Sequence, residues 1–301
     1  MTEETLAGLV TEGRLPEATD LDLLSTGAQV ALLCAQDRAA VAAVEAASGQ
    51  LVAAIDAAAV RLRRGGRLIE VGAGTPGRLA VLDAAECHPT FGVDDGLVLG
   101  VIAGGSDALV RAVEGGEDDH PAGAADLAGV AVGPDDVVVA VSASGRTPYV
   151  RGAIAAAAAA GALTIGVVNN PGSPIAAECD LAVEALTGPE VISGSTRLKA
   201  GTAQKLVLNT FSTLLMVKLG HTYGDLMINV SGTNTKLRWR SQRVVAEATG
   251  AADGEVAAAL AVAGGEAKVA TVMLLAGVDA GTARRRLAAA RGHVRAAVGG
   301  R

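Results

Sequence analysis

The chain has 301 residues, half of them hydrophobic, 2% aromatic and 19% charged, with a formal charge of −7. That length and apolar content can bury a sizeable core, in one large domain with helical additions or in two domains. The acidic balance, the absence of a dense Lys/Arg cluster and the scarcity of aromatic stacking platforms argue against a nucleic-acid partner.

The N-terminus, MTEETLAGLVTEGRLPEATDLD, carries acidic residues where an export signal carries basic ones, and no apolar run reaches bilayer length. A cytoplasmic protein without a membrane partner is expected. Cys34, Cys87 and Cys179 are widely spaced and lack metal-ligand or CxxC spacing, so they read as ordinary thiols. Helical patterns follow from about Ser25 to Ala47 and from Leu51 to Arg64, forming an N-terminal helical arm.

From Arg67 the pattern alternates. Short apolar runs at Leu68–Val71, Leu97–Ala103, Val137–Val141, Leu163–Val168 and Leu181–Glu184 are separated by helical runs near 78–86, 107–117, 148–160 and 197–219. Unbroken aliphatic strands with an alanine-rich remainder predict a parallel α/β sheet with right-handed crossovers. Beyond Trp239 the chain is helical and Ala-rich. Turn signals at Gly250–Gly254 and Gly277–Gly281 divide it into three short helices ending near Val298.

Two strand-to-helix turns carry the chemistry. Gly72-Ala73-Gly74-Thr75-Pro76-Gly77 fits GxGxxG, in which glycines let the backbone approach an anion and amides point at it. Taken alone it allows phosphate-ester binding, a dinucleotide site with Asp94 or Asp95 as ribose acid, or a tight turn that binds nothing. The second turn, Ser142-Ala-Ser144-Gly-Arg-Thr147-Pro148, offers three hydroxyls at a helix start. Capping needs one hydroxyl, so three suggest a phosphate ligand; the alternative is plain N-capping by Ser144 or Thr147.

Glu86 and Glu117 stand near predicted helix ends, and on composition alone each reads as a solvated carboxylate. Roughly nine residues of helix, about 13 Å of rise, separate the first glycine turn from Glu86. That exceeds a hexose, so either the helix end folds back or the acid serves a site shared with another subunit. The run Gly188–Lys205 places Ser195, Thr196, Arg197, Lys199 and Lys205 at the start of a long helix. Basic groups there oppose the helix dipole and ask for an anion or an acidic partner such as Glu190. His88 and His120 have no metal-spaced companion and read as incidental.

The Gly188–Lys205 run resembles throughout the signature shared by bacterial N-acetylmuramic acid 6-phosphate etherases and the glucokinase regulatory protein. Gly72–Phe91, Ala103–Asp118, Ser142–Tyr149 and the C-terminal helices are also similar to the etherases, and a length near 300 favours them over the doubled regulatory protein. The resemblance implies a three-layer α/β/α sugar isomerase (SIS) domain with a parallel five-stranded sheet, used by a homodimer to bind a phosphosugar without a cofactor. It divides the chain into an N-terminal arm (1–50), an SIS domain (51–239) and a small C-terminal three-helix, UBA-like region (240–301).

By the family pattern, Glu86 of DAAEC matches the general acid and Glu117 of EGGED the other catalytic carboxylate. Ser142, Ser144 and Thr147 match the phosphate-binding hydroxyls, with Gly74, Thr75, Ser195, Arg197 and Lys199 as further substrate contacts. The expected substrate is N-acetylmuramic acid 6-phosphate. A non-catalytic phosphosugar sensor and an aldose-ketose isomerase are the alternatives on this fold. Pro76 departs from the serine usual in the family, removing a hydroxyl and an amide from the loop. Ala28 and Leu15 replace a common acid and a frequent asparagine.

Overall fold

The computed structural model of the chain describes residues 8–229 and 235–299. It divides into two compact units, one of Met1–Ala85 with Gly96–Ser212 and one of Glu86–Asp95 with Thr213–Arg301.

The first unit opens with a 3-10 turn at Val10–Glu12, then α1 (Thr26–Ala46) and α2 (Ser48–Leu62). Ser25 starts α1 as expected of an N-cap, its side chain accepting from the Ala28 amide. Alternation follows with β1 (Leu68–Gly72), α3 (Gly74–Phe91), β2 (Val98–Ile102), α4 (Asp107–Val110), α5 (His120–Gly129) and β3 (Val137–Ser142). It continues through α6 (Pro148–Ala159), β4 (Leu163–Val168), α7 (Pro174–Glu178), β5 (Leu181–Glu184) and α8 (Lys199–Lys218). Each of the five strands lies within one residue of its predicted run at either end.

The strands form one parallel sheet in the order β2-β1-β3-β4-β5. From β1 the chain crosses outward to β2, then returns past β1 to β3 and continues the other way. The order therefore reverses between β1 and β3, and ligands of such sheets collect at the C-terminal strand ends beside that point. All residues of β1, β3 and β4 are buried, which explains why they read as largely apolar runs, broken only by Glu70 in β1, Thr164 in β4 and the terminal Ser142 in β3. On one face Ile69, Val71, Val138 and Ala140 pack with Tyr149, Val150 and Ala153 of α6. At the start of the sheet Arg67 clamps Asp136, donating from its amide at 2.8 Å and its guanidinium at 2.7 Å, and thereby ties β1 to β3.

One predicted run is corrected and one helix is added. The 107–117 helix is only α4, one turn long, ended by the extended backbone of Arg111 and followed by a 3-10 turn at Gly116–Asp118. The segment after it forms the unpredicted α5, started by Asp119 accepting from the Ala122 amide. Its Gly123 is required by tertiary packing: a Cβ there would run into the Tyr149 carbonyl of α6.

The second unit holds a hairpin of β6 (Thr222–Tyr223) and β7 (Leu226–Met227). It continues with α9 (Thr235–Thr249), α10 (Asp253–Val262), α11 (Ala267–Ala276), α12 (Ala280–Ala289) and α13 (Val294–Val298). Five helices among the described residues thus replace the expected three. Left-handed glycines 264, 265 and 292 supply turns that the sequence reading passed over. Val245, Val256, Ala263, Ala270, Val272 and Ala283 form their common core.

Among the described residues no single helix is long and apolar enough to cross a membrane. Helices α1 and α2, bent by 57° at their junction, pass that test only as a pair, and α2 buries Leu51, Ile55 and Leu62 within its own unit.

Candidate active site

Three loops at the C-terminal ends of β1, β2 and β3 and one N-terminal turn enclose a cavity of about 250 Å³. The β1 loop is shaped by glycine. A Cβ on Gly77 would stand 2.6 Å from the Gly72 carbonyl and 2.6 Å from Ile102, so these two glycines let α3 begin hard against the strand end. Gly74 differs: its φ of +59° makes the turn, and a Cβ there would meet nothing. Gly74, Thr75 and Pro76 line the cavity.

The β3 loop supplies the hydroxyls. Ser142 Oγ lies 2.8 Å from Thr147 Oγ1 and 3.4 Å from Ser144 Oγ, and it accepts from the Gly145 amide at 3.1 Å. Ser144 Oγ accepts from the Arg146 amide at 3.2 Å. Thr147 is the N-cap residue of α6, yet its side chain makes no capping bond. The three hydroxyls therefore converge on one another at the cavity wall, and the plain N-capping alternative does not describe them. An anion seated there meets hydroxyl donors and the positive end of α6 together.

The loop after β2 brings Glu117 to the same wall through its 3-10 turn, with Asp118 beside it. Two further residues complete the wall: Glu12 from the N-terminal turn and Thr196 from the segment before α8. Sequence reasoning gave neither Glu12 nor Asp118 a role. Glu12 sits in a polar, acidic stretch, and only the fold carries it to the strand ends.

The rest of the Gly188–Lys205 run does different work. Ser195, Arg197 and Lys199 are not among the residues lining the cavity. Arg197 is exposed, whereas Lys199 is buried and its Nζ donates to Gln36 of α1. The anion that the helix start asks for is internal: the buried Glu190 carboxylate accepts from the Lys199 amide at 3.1 Å and the Ala200 amide at 2.9 Å. Burial raises the Glu190 carboxyl and lowers the Lys199 ammonium from their ordinary values. Lys205 likewise pairs with Asp83 of α3, at 3.4 Å.

Glu86 belongs to the second unit and is exposed on α3. That helix runs unbroken from Gly74 to Phe91, so its end does not fold back. Twelve residues of α-helical rise put Glu86 about 18 Å along the axis from Gly74.

A further carboxyl lies inside β1. Glu70 is fully buried beside the carboxyl of Asp83. Burial, and then the nearby charge of Asp83, hold it well above the usual carboxylate range.

Residues 50–158 match the glucokinase regulatory protein N-terminal SIS domain, and residues 121–214 match the SIS domain. An N-acetylmuramic acid 6-phosphate etherase of Rubrobacter xylanophilus is 56% identical, covering 99% of this chain and 98% of its own. The chain belongs to the N-acetylmuramic acid 6-phosphate etherase family. Etherases of the same name from Streptomyces avermitilis and Serratia proteamaculans are 54% and 50% identical, each over 97% of this chain and over 94% and 99% of their own. Among solved structures, phosphoheptose isomerase GmhA from Neisseria gonorrhoeae is similar at a TM-score of 0.46 and 20% identity, covering 64% of this chain and 98% of that one.

Proposed function

We propose that the chain cleaves the D-lactyl ether of N-acetylmuramic acid 6-phosphate, releasing D-lactate and N-acetylglucosamine 6-phosphate during cell-wall recycling. The observation that carries this reading is the single cavity uniting the Ser142–Ser144–Thr147 cradle with Glu117. A cradle alone describes any phosphosugar binder; a carboxylate on the same wall adds a group able to move protons.

The chemistry needs that combination. An ether oxygen at C3 is a poor leaving group, but opening the ring exposes a C1 aldehyde that acidifies the C2 proton. In this reading Glu117 takes that proton, the C3–O bond breaks, and Glu86 gives a proton to the departing lactate oxygen. Water then adds at C3 of the unsaturated aldehyde while C2 regains a proton. Each positioned transfer supplies roughly 10²–10⁴-fold. One carboxyl must start ionised and the other protonated, so their surroundings have to differ.

The phosphate is assigned to Ser142, Ser144 and Thr147, with Gly74 and Thr75 across the cavity. Of the Gly188–Lys205 run, the wall position of Thr196 supports a substrate contact, while Lys199 holds the start of α8 in place. The arm, SIS and C-terminal divisions at residues 50 and 239, a cytoplasmic location and a homodimer belong to the same reading. Exposed Val30, Leu33 and Val41 on α1 support a second copy covering that helix.

Incubating the protein with N-acetylmuramic acid 6-phosphate and assaying D-lactate tests the reading. Tight binding of the sugar phosphate without lactate would show a sensor. Aldose-ketose conversion without lactate would show an isomerase.

A further inference from the structure

The cavity wall carries a carboxylate that the chemistry above leaves unused. We propose that Glu12 is a substrate-positioning residue, accepting hydrogen bonds from the hydroxyl groups on carbons 4 and 5 of the opened phosphosugar. The inference rests on the site reading above and adds to it a group that recognises the middle of the substrate.

Glu12 is placed deliberately. The preceding Thr11 is buried, and its amide donates to Asn170 Oδ1 at 3.3 Å while Asn170 Nδ2 donates back to Thr11 Oγ1 at 2.9 Å. The same Asn170 Nδ2 donates to the Ala143 carbonyl at 2.9 Å, which fixes the N-terminal turn to the loop that bears the hydroxyl cradle. On the other side Ser193 Oγ donates to the Glu12 carbonyl at 3.1 Å. Its carboxylate lies over Gly194, where a Cβ would stand 2.7 Å from Oε2; Gly194, with a φ of +72°, keeps that space open. No side-chain hydrogen bond or ion pair joins this carboxylate to another described residue, although its backbone is pinned on both sides.

The type of group decides what it can recognise. An ionised carboxylate only accepts hydrogen bonds, so it repels phosphate and seeks O–H or N–H donors. With the C6 phosphate in the hydroxyl cradle and C2 at Glu117, the stretch between them is C3 to C5; C3 carries the ether oxygen, which has no hydrogen to donate, and C4 and C5 each bear a hydroxyl once the ring is open. The C5 hydroxyl exists only in the opened chain, so a contact there also favours the reactive form. Bonds of this charged kind are about twice as strong as neutral ones.

The test uses the full-length protein and the variants Glu12→Ala and Glu12→Gln. Glu12→Ala should weaken binding of N-acetylglucosamine 6-phosphate roughly 10- to 100-fold and leave inhibition by inorganic phosphate unchanged. Product analogues lacking the hydroxyl at C4 or at C5 provide the second readout. Each should show a smaller difference between wild type and Glu12→Ala than the product does, because one of the two partners is already missing, and an undiminished difference with both analogues overturns the proposal. Glu12→Gln keeps the shape of the side chain and should fall between wild type and Glu12→Ala. Product affinity unchanged in Glu12→Ala overturns the proposal, and so does an equal loss of phosphate affinity, which would mean a collapsed cavity. Failure of the underlying site reading is distinct: there, Glu117→Gln would retain turnover whatever Glu12 does.

Discussion

At the residue scale the site separates groups that chemistry needs from groups that packing needs. Glu117 lines the cavity on an exposed turn, so Glu117→Gln should lower lactate release roughly 10²–10⁴-fold while leaving the urea midpoint unchanged; full turnover would remove the assignment. Pro76 lies in the first turn of α3, where an amide has no intrahelical partner, so the helix loses nothing by its presence. The cradle does lose a donor. Pro76→Ser should therefore tighten inorganic phosphate a few-fold in competition assays, whereas weaker binding would show that the ring itself shapes the loop.

Glu70 gives a pH prediction of definite sign. Its folded-state carboxyl is raised by burial and by Asp83, with Lys205 opposing them. The stability of its neutral form is fully present below the unfolded value of about 4.3 and is lost as pH rises through the raised folded value. Urea unfolding of wild type should weaken from pH 5 to pH 8 more than that of Glu70→Gln. Parallel slopes would rule out Glu70 as the cause.

At the scale of elements, the strand ends and helix starts meet through glycines. Gly77→Ala would press a methyl to 2.6 Å from the Gly72 carbonyl, and a destabilisation of about 1–3 kcal/mol is expected from denaturant titration. The loss should extend to phosphate affinity, since the same contact aims Thr75 at the cavity. The central strands β3 and β4 were legible because fully buried parallel strands are largely aliphatic, with no polar face to blur the pattern. Helix α5 was not. Gly123 lowers its intrinsic propensity for the sake of a close crossing with α6, although Asp119 and Pro121 did mark its start.

At the scale of the whole molecule, the position of Glu86 bears on how many chains build one site. Glu86 is not among the residues lining the cavity, and in a homodimer of the proposed kind a second copy would be its source. If acid and base come from different chains, mixing Glu86→Gln and Glu117→Gln proteins after dissociation should restore the lactate release expected to be lost in each alone. Half of randomly paired dimers are mixed, and each holds one intact site of two, giving about a quarter of wild-type lactate release. If acid and base come from one chain, every mixed site lacks one of them and the blend stays inactive.

The sequence by itself determined the strands, most of the helices along the SIS portion, the two strand-to-helix turns and the hydroxyls that the second turn carries. These depend on local periodicity and on residue types a few positions apart. Only the tertiary structure decided that Glu12 and Thr196 share a wall with Glu117 and that Lys199 turns inward to Gln36. Those pairings join residues far apart in the chain, and a carboxylate or ammonium looks the same in sequence whether the fold sends it to water, to a helix end or to a ligand.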